Sequence, residues 1–472
     1  MTAVPSREIA FGGPQKIHFA PRRNWMNDPN GLVFHEGTFH MYYQYNPNGS
    51  DHGDMSWGHA SSTDLITWQE HPVALLHDDE REIYSGSIVW DGEGVAGFGP
   101  ALIAFYTAHA AQRRHQAQAL AYSLDQGLTW TQYEGNPVLD RDSGDFRDPK
   151  VLRYRGPAGE YWVMAAVEAA DKRVVLYRSD NLLDWDLLSE FDAPQVGEGI
   201  WECPDLFPLV VDGEEKWVLI ISLGMAPVVA GFGTIYSVGS FDGTTFVAEG
   251  DFHRLDHGRD NYAGVTFYGL PDEERTLVAW MGDWIYAREL PLIADAPRRG
   301  AMTLPRRLSL ATANGQTVLR QTPVEPAVQV ASEVRGVRVT DPTVVASAPG
   351  CCRIDVEVDL GDADGATLRI RHGEDGGGVV LSYEGETGAV RLDRSAVRGF
   401  PQSFRAAQVL PTTGGAQLAL TIWTDMTSVE IFADGGLSTL TSLVDVPAGE
   451  DITVEGIGGE VTVSVTVSVP VS

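Results

Sequence analysis

The sequence predicts an all-β protein, a five-bladed β-propeller followed by a C-terminal β-sandwich. Three observations carry that expectation. Apolar and aromatic residues come in short bursts, such as Phe39–Tyr43, Leu102–Tyr106, Tyr161–Met164 and Trp217–Ile220, with Gly, Asp, Asn and Pro between them and little helical periodicity. A Ser-Asp…Trp segment recurs along the first two thirds of the chain. A separate series of polar stretches recurs with the same period.

The first repeat begins with Ser62-Thr63-Asp64-Leu65-Ile66-Thr67-Trp68. It returns at Ser123 to Trp130 and at Ser179 to Trp185, and in a weaker form at Ser240 to Phe246, so that the aromatic anchors stand 62, 55 and 61 residues apart. A strand-rich unit of roughly sixty residues is a propeller blade. The segment is expected to be a turn between a blade's outer strands, with Trp68, Trp130 and Trp185 packed beneath as core anchors.

The second series comprises Asp28, Ser85, Asp148, Glu202 and Asn261, spaced by 57, 63, 54 and 59 residues. Each lies ahead of its blade's Ser-Asp…Trp turn and so belongs to the innermost strand. Five such strands surround one axis, and their ends converge on it. The most informative of these stretches is Trp25-Met26-Asn27-Asp28-Pro29-Asn30-Gly31, answered by Phe146-Arg147-Asp148-Pro149 and Trp201-Glu202-Cys203-Pro204-Asp205. A residue before proline is pushed toward extended backbone, so Asp28 and Asp148 are expected there, at strand ends.

Five blades account for residues 15–315. Residues 316–330, with Gln321-Thr322-Pro323-Val324-Glu325-Pro326, read as a linker. Residues 331–472 alternate as strands, at Cys352 to Val358, Thr367 to Ile370, Val379 to Tyr383, Gln417 to Trp423, Val429 to Phe432 and Val461 to Val469, which is the pattern of a β-sandwich. Asp359 to Gly365 has the look of a calcium loop but carries Ile370 where the bidentate acid would stand, so a plain turn is expected.

Composition narrows the function. The chain has 472 residues and a net charge of −31, which excludes a basic face for nucleic acid and disfavours an anionic membrane. A neutral sugar substrate fits. Cys203, Cys351 and Cys352 are the three cysteines; they form no disulfide framework and no zinc spacing. Neither a metal nor a cofactor is expected. Met1 to Phe19 holds no apolar run long enough for a signal peptide or a membrane span, so a cytoplasmic protein is expected, or a secreted one if a leader has been removed. The sequence sets no oligomeric state.

Three carboxylates converging among aromatics, without metal ligands, suit glycoside hydrolysis, in which one carboxylate attacks or activates water and another protonates the leaving oxygen. Glu202, between Trp201 and Cys203-Pro204, is expected in an apolar setting that raises its pKa and suits a general acid. Asp28, beside Asn27 and Asn30, is expected to stay ionised as a nucleophile. Asp148, held ionised by Arg147, would grip sugar hydroxyls as the ring becomes oxocarbenium-like. Cys203 reads as a small buried support for Glu202.

The ordered set of motifs resembles the invertase and fructanase family, glycoside hydrolase family 32. Besides the three stretches above, it includes Tyr42-Tyr43-Gln44-Tyr45-Asn46-Pro47, Trp57-Gly58-His59-Ala60, Ser85-Gly86-Ser87, Trp280 to Trp284, Met302 to Arg306 and Ser428 to Phe432. The resemblance implies a five-bladed propeller with a β-sandwich and retaining cleavage of β-fructofuranosides such as sucrose, fructo-oligosaccharides, inulin or levan. It puts Asp28 at the nucleophile, Glu202 at the acid/base and Asp148 at the transition-state stabiliser. Asn27, Gln44, Ser85, Arg147 and Trp284 fall where family members line the fructose pocket. Two departures, Ser50 to Asp54 where a tryptophan is usual and Asp260-Asn261-Tyr262-Ala263, are expected at the rim. The competing readings are a fructosyltransferase that uses the same intermediate and a fructan-binding propeller without catalysis.

Overall fold

A computed structural model of the chain describes residues 16–157, 159–292, 297–370, 378–397, 400–444 and 451–471. Residues 1–15, most of the stretch searched for a signal peptide, lie outside it. The chain divides into two compact units, one of residues 25–283 and 300–325, the other of residues 1–24, 284–299 and 326–472.

The first unit is the propeller. Its blades are antiparallel sheets built on four strands in chain order, and in the second and fourth a further short strand, Leu139–Ser143 and His253–Arg254, pairs with the third. The innermost strands are Asn24–His35, Glu82–Asp91, Phe146–Gly156, Ile200–Val211 and Tyr262–Thr266. The aromatic and β-branched bursts form the second strands, such as Ala101–Ala110, where Leu102, Ile103, Ala104 and Phe105 are all fully buried. Both faces of a blade pack on neighbouring blades, so these strands read as continuous apolar runs instead of alternating ones. The ring closes where Tyr268, just past the fifth inner strand, exchanges backbone hydrogen bonds with the first: Phe34 N donates to Tyr268 O at 2.8 Å and Tyr268 N to Leu32 O at 2.9 Å.

The Ser-Asp…Trp repeat is a turn between third and fourth strands, as expected. Ser62 Oγ accepts from Leu65 N at 2.8 Å, and Asp64 Oδ1 accepts from Ile66 N and Thr67 N at 2.8 and 2.7 Å. Ser179 and Asn181 repeat this pattern, and Asp242 repeats the second half. Leu65, Gln126, Leu182 and Gly243 occupy the same step of the four copies, and all have positive φ. The tryptophans are half-buried, with Trp130 and Trp185 packed against the core as expected, and the Nε1 of Trp68 and of Trp130 donates to the turn carbonyls of Leu65 and Gly127. Tyrosines on second strands anchor the turns as well. Tyr42 OH donates to Gly127 O at 2.7 Å and Tyr161 OH to Gly243 O at 2.9 Å, each clasping the turn of the following blade.

The linker expectation needs correction for residues 316–323. Gln316–Pro323 is a strand paired with Arg306–Ala313, and it completes the fifth blade. Its two prolines suggested a connector, but Pro323 sits at the strand's last position and Pro326 lies beyond it, where neither interrupts the ladder.

The second unit contains two six-stranded antiparallel sheets. One has the order Val328–Val339, Val461–Pro470, Cys352–Asp359, Gln417–Asp425, Ser428–Ala433, Ser438–Leu443; the other Thr343–Ser347, Asp451–Ile457, Gly365–Ile370, Val379–Glu384, Ala389–Asp393, Gln408–Pro411. Alternate residues such as Ile354, Val356, Val463, Val465 and Val467 form their shared core. Asp359 to Gly365 is a turn between strands, with Asp359 Oδ1 accepting from Gly361 N at 3.0 Å. In the same unit, His18 donates to the buried carboxylates of Asp425 and Glu430 at 3.0 and 2.8 Å.

Candidate active site

All five inner strands carry an irregularity at one height. The pairing register slips between Met26 and Pro29, Ile83 and Gly86, Arg147 and Lys150, Glu202 and Asp205, and Tyr262 and Val265. Each slip is a β-bulge, which leaves residues outside the ladder and re-aims their side chains. Asp28 and Ser85 are the second residues of their bulges, Asp148 is the first of its own, and Glu202 is the last paired residue before one. The equal spacing seen in the sequence is therefore true only to within a residue or two. Gly86 fits this geometry for a steric reason: a Cβ there would lie 2.0 Å from Phe105 O.

Asp148 is not extended, as its proline neighbour suggested. Its φ is +63°, and Cys203 and Ala263, the first bulge residues of the next two blades, share the left-handed conformation at +47° and +55°. Two hydrogen bonds offset that backbone cost. Thr107 Oγ1 accepts from Asp148 N at 2.9 Å, and Cys203 N donates to Asp148 Oδ2 at 2.9 Å.

The bulges bring the three carboxylates together. Asp28 Oδ1 accepts from Asn27 Nδ2 at 3.0 Å and Oδ2 from Ser85 Oγ at 2.7 Å, while Trp25 Nε1 fixes Asn27 at 2.7 Å. The Cys203 thiol touches Asp28 Oδ2 at 3.7 Å and Asp148 Oδ2 at 3.6 Å. It thus supports the two aspartates, not Glu202. Burial and the adjacent carboxylates push that thiol far up, so it is a neutral donor and no nucleophile.

Glu202 is not in the apolar setting its neighbours implied. The Trp201 ring turns into the core at 1% exposure. Arg147 Nη2 donates to Glu202 Oε1 at 3.2 Å, and the Tyr262 hydroxyl donates to Oε2. Arg147 also donates to Gln116 and Asp145. Burial raises Asp148 to about 7 despite the Arg147 charge, with Glu202 adding to the rise. Burial likewise raises Asp28, against the pull of Asn27 and Ser85. The expectation that Arg147 holds Asp148 ionised needs correction, because desolvation outweighs the guanidinium.

Asn27 and Ser85 brace Asp28, and Arg147 reaches Glu202. Gln44 is 2% exposed and donates to Ile83 O at 2.9 Å, behind the bulge that carries Ser85. Trp284 belongs to the other compact unit, where the Arg288 guanidinium lies 5.8 Å from its ring. Asp260, Asn261 and Tyr262 are buried at no more than 1% exposure, so they form no rim. In the other departure, His52 stands edge-on to Trp25 at 6.1 Å and to Tyr84 at 6.4 Å. Thr107 escaped the sequence reading, and Tyr262 and His52 entered it only as parts of the two stretches expected at the rim. The phase of Tyr262, which directly precedes the fifth bulge, was the available signal.

Beneath the carboxylates the axis is plugged. Lys150 Nζ reaches Asp205 Oδ2 at 3.0 Å and Thr266 O at 2.6 Å, and Asp205 Oδ2 accepts from Thr266 N at 2.6 Å. Ser85, Asp148, Lys150 and Cys203 line one small pocket between the inner strands.

Such a set, buried acids of different environments on a propeller's inner strands, defines a glycoside hydrolase. Residues 18–323 match the glycosyl hydrolases family 32 N-terminal domain and residues 317–469 the family 32 C-terminal domain. The chain belongs to glycosyl hydrolase family 32. It is 37% identical over 457 residues to a levanase of Bacillus subtilis, a match that covers 91% of this chain and 66% of the levanase. It is 36% identical over 482 residues to an extracellular exo-inulinase of Aspergillus niger, covering 91% and 89% of the two chains. A solved structure of fructofuranosidase from Schwanniomyces occidentalis complexed with fructose superposes with a TM-score of 0.88 at 27% identity, over 98% of this chain and 99% of that one.

Proposed function

We propose that the protein releases terminal β-D-fructofuranosyl units from sucrose, fructo-oligosaccharides and β-fructans by double displacement. The observation that carries this reading is the shared contact of Asp28 and Asp148 with one buried thiol, beside a Glu202 held by its own donors. In the first step an Asp28 oxygen attacks the anomeric carbon of the terminal fructose. The bond from that carbon to the bridging oxygen breaks, and Glu202 gives its proton to the departing oxygen. In the second step Glu202 takes a proton from water, the water oxygen bonds to the anomeric carbon, and Asp28 leaves. A retaining pair stands about 5–5.5 Å apart, and Glu202 is near enough to Asp28 for its charge to help raise that carboxyl.

Asp148 binds ring hydroxyls. Burial lifts its carboxyl to about 7, and a hydroxyl that donates to it, with Arg147 close by, favours the ionised form. Ser85 and Asn27 keep Asp28 aimed.

A fructosyltransferase would replace water by a sugar hydroxyl in the second step. The names of the relatives, levanase and exo-inulinase, favour hydrolysis. They lend no support to a cytoplasmic setting, since the exo-inulinase is named extracellular. Among the described residues no helix is long and apolar enough to cross a membrane.

Product analysis on sucrose, inulin and levan tests the reading: free fructose should dominate with each substrate that is cut, even at high sucrose. Asp28→Asn should fold and lose turnover by orders of magnitude. Activity equal to the parent in that variant overturns the mechanism.

A further inference from the structure

A second cavity opens within the propeller, between the first and second blades. It has a volume of about 320 Å³, enough for one sugar ring. Its inner wall is Ile83, two residues before the Ser85 that holds Asp28. Ala108, the cross-strand partner of Ile83 on the same wall, follows Thr107, whose hydroxyl donates to Ser85 O at 3.3 Å. The stacked pair Tyr84 and His109, 4.4 Å between centroids, comes from these same two strands. The cavity therefore lies against the two strands that also carry Ser85 and Thr107, which hold Asp28 and the Asp148 backbone.

Its lining is that of a polyol site. Ile83, Ala108, Ala117 and Ala119 give an apolar wall, and Arg81 and Arg113 are exposed at its mouth, beside carboxylates of Asp78 and Glu80. Donors and acceptors together suit neutral hydroxyls better than an anion. The most telling group is Tyr106. It is 2% exposed, it lines the cavity, and its hydroxyl has no hydrogen-bond partner among the described residues.

We propose that this cavity is an accessory sugar subsite, which takes a distal residue of a fructan whose end occupies the active site. The proposal rests on the fructan reading above. Tyr106 OH would meet a hydroxyl of the seated ring, and Arg81 would reach others from the mouth. Sucrose, with only two rings, would leave the cavity empty.

Tyr106→Phe and Arg81→Ala test this. Each should raise KM for long-chain inulin or levan by about three- to tenfold, the range expected from one lost hydrogen bond, with KM and kcat for sucrose unchanged within about twofold. Calorimetric titration of inulin oligomers into the Asp28→Asn protein, with and without Arg81→Ala, reads the same contact without turnover. Weaker binding in the double variant supports the assignment. Equal binding, or a parallel loss on sucrose and inulin, overturns it. A parent protein that binds the oligomers through Arg81 yet cleaves neither sucrose nor fructan would overturn the active-site reading alone.

Discussion

Arg147 donates to Glu202 across the pit, at 3.2 Å, and not to Asp148 beside it in the chain. The bulge after Arg147 separates the two neighbours, sending the guanidinium toward the fourth blade and the carboxylate toward Cys203 N. The guanidinium nevertheless lowers Asp148 through space while burial lifts it.

That balance predicts the acid limb of the pH profile. The sugar does not titrate, so kcat/KM should fall as pH drops below about 7, where Asp148 takes up a proton, with Asp28 as a coupled partner. Arg147→Gln removes the charge that favours the ionised form, so the limb should move to higher pH. Sucrose kinetics from pH 4 to 9 check this; a limb that stays in place or moves down refutes the coupling.

Glu202 should matter most when the leaving group needs a proton. Glu202→Gln is expected to lose about 100-fold or more on sucrose. It should retain far more of its activity on an activated fructoside whose leaving group departs without help. Equal losses on both substrates would remove Glu202 from the acid role.

The plug beneath the site should be costly to break. Lys150→Ala leaves Asp205 buried without its cation and should destabilise the protein by about 3–5 kcal/mol. Denaturant unfolding measures it, and a midpoint close to the parent's would mean that water or a neighbour replaces the ammonium.

Acid stability should depend on a histidine stack in the first blade. His40 Nδ1 lies 3.1 Å from His59 Nε2, His59 stacks on Tyr42 at 4.3 Å and on His71 at 4.5 Å, and burial lowers His40 to about 4 and His59 to about 2. The folded state therefore binds fewer protons than the unfolded chain. The stability is present above the ordinary 6.5 and is lost as pH falls toward about 4. His59→Phe keeps a ring against Tyr42 and should flatten the decline in melting temperature across that window; an unchanged slope would place acid sensitivity elsewhere.

Much of this was legible in the sequence. The Ser-Asp…Trp turns announced blades because the same side-chain hydrogen bonds recur in them. The three carboxylates stood out because proline and aromatics flank each. The partners of those carboxylates were less legible. A bulge adds a residue to one strand, so counting by blade period finds the strand but not which side chain enters the pit. Local context misplaced Glu202 among apolar neighbours, although its nearest groups, Arg147 and Tyr262, come from other blades. Asp148 defied the rule for residues before proline because the Thr107 and Cys203 contacts hold it left-handed. The strand at Gln316–Pro323 hid behind its prolines.

The five bulges also have an evolutionary reading. Insertion or loss of one codon near such a kink changes which neighbour looks inward and leaves the rest of the sheet in frame. Blades copied from a common ancestor would then be free to specialise, each trying a different residue at the shared centre, while the scaffold around them stays as it was.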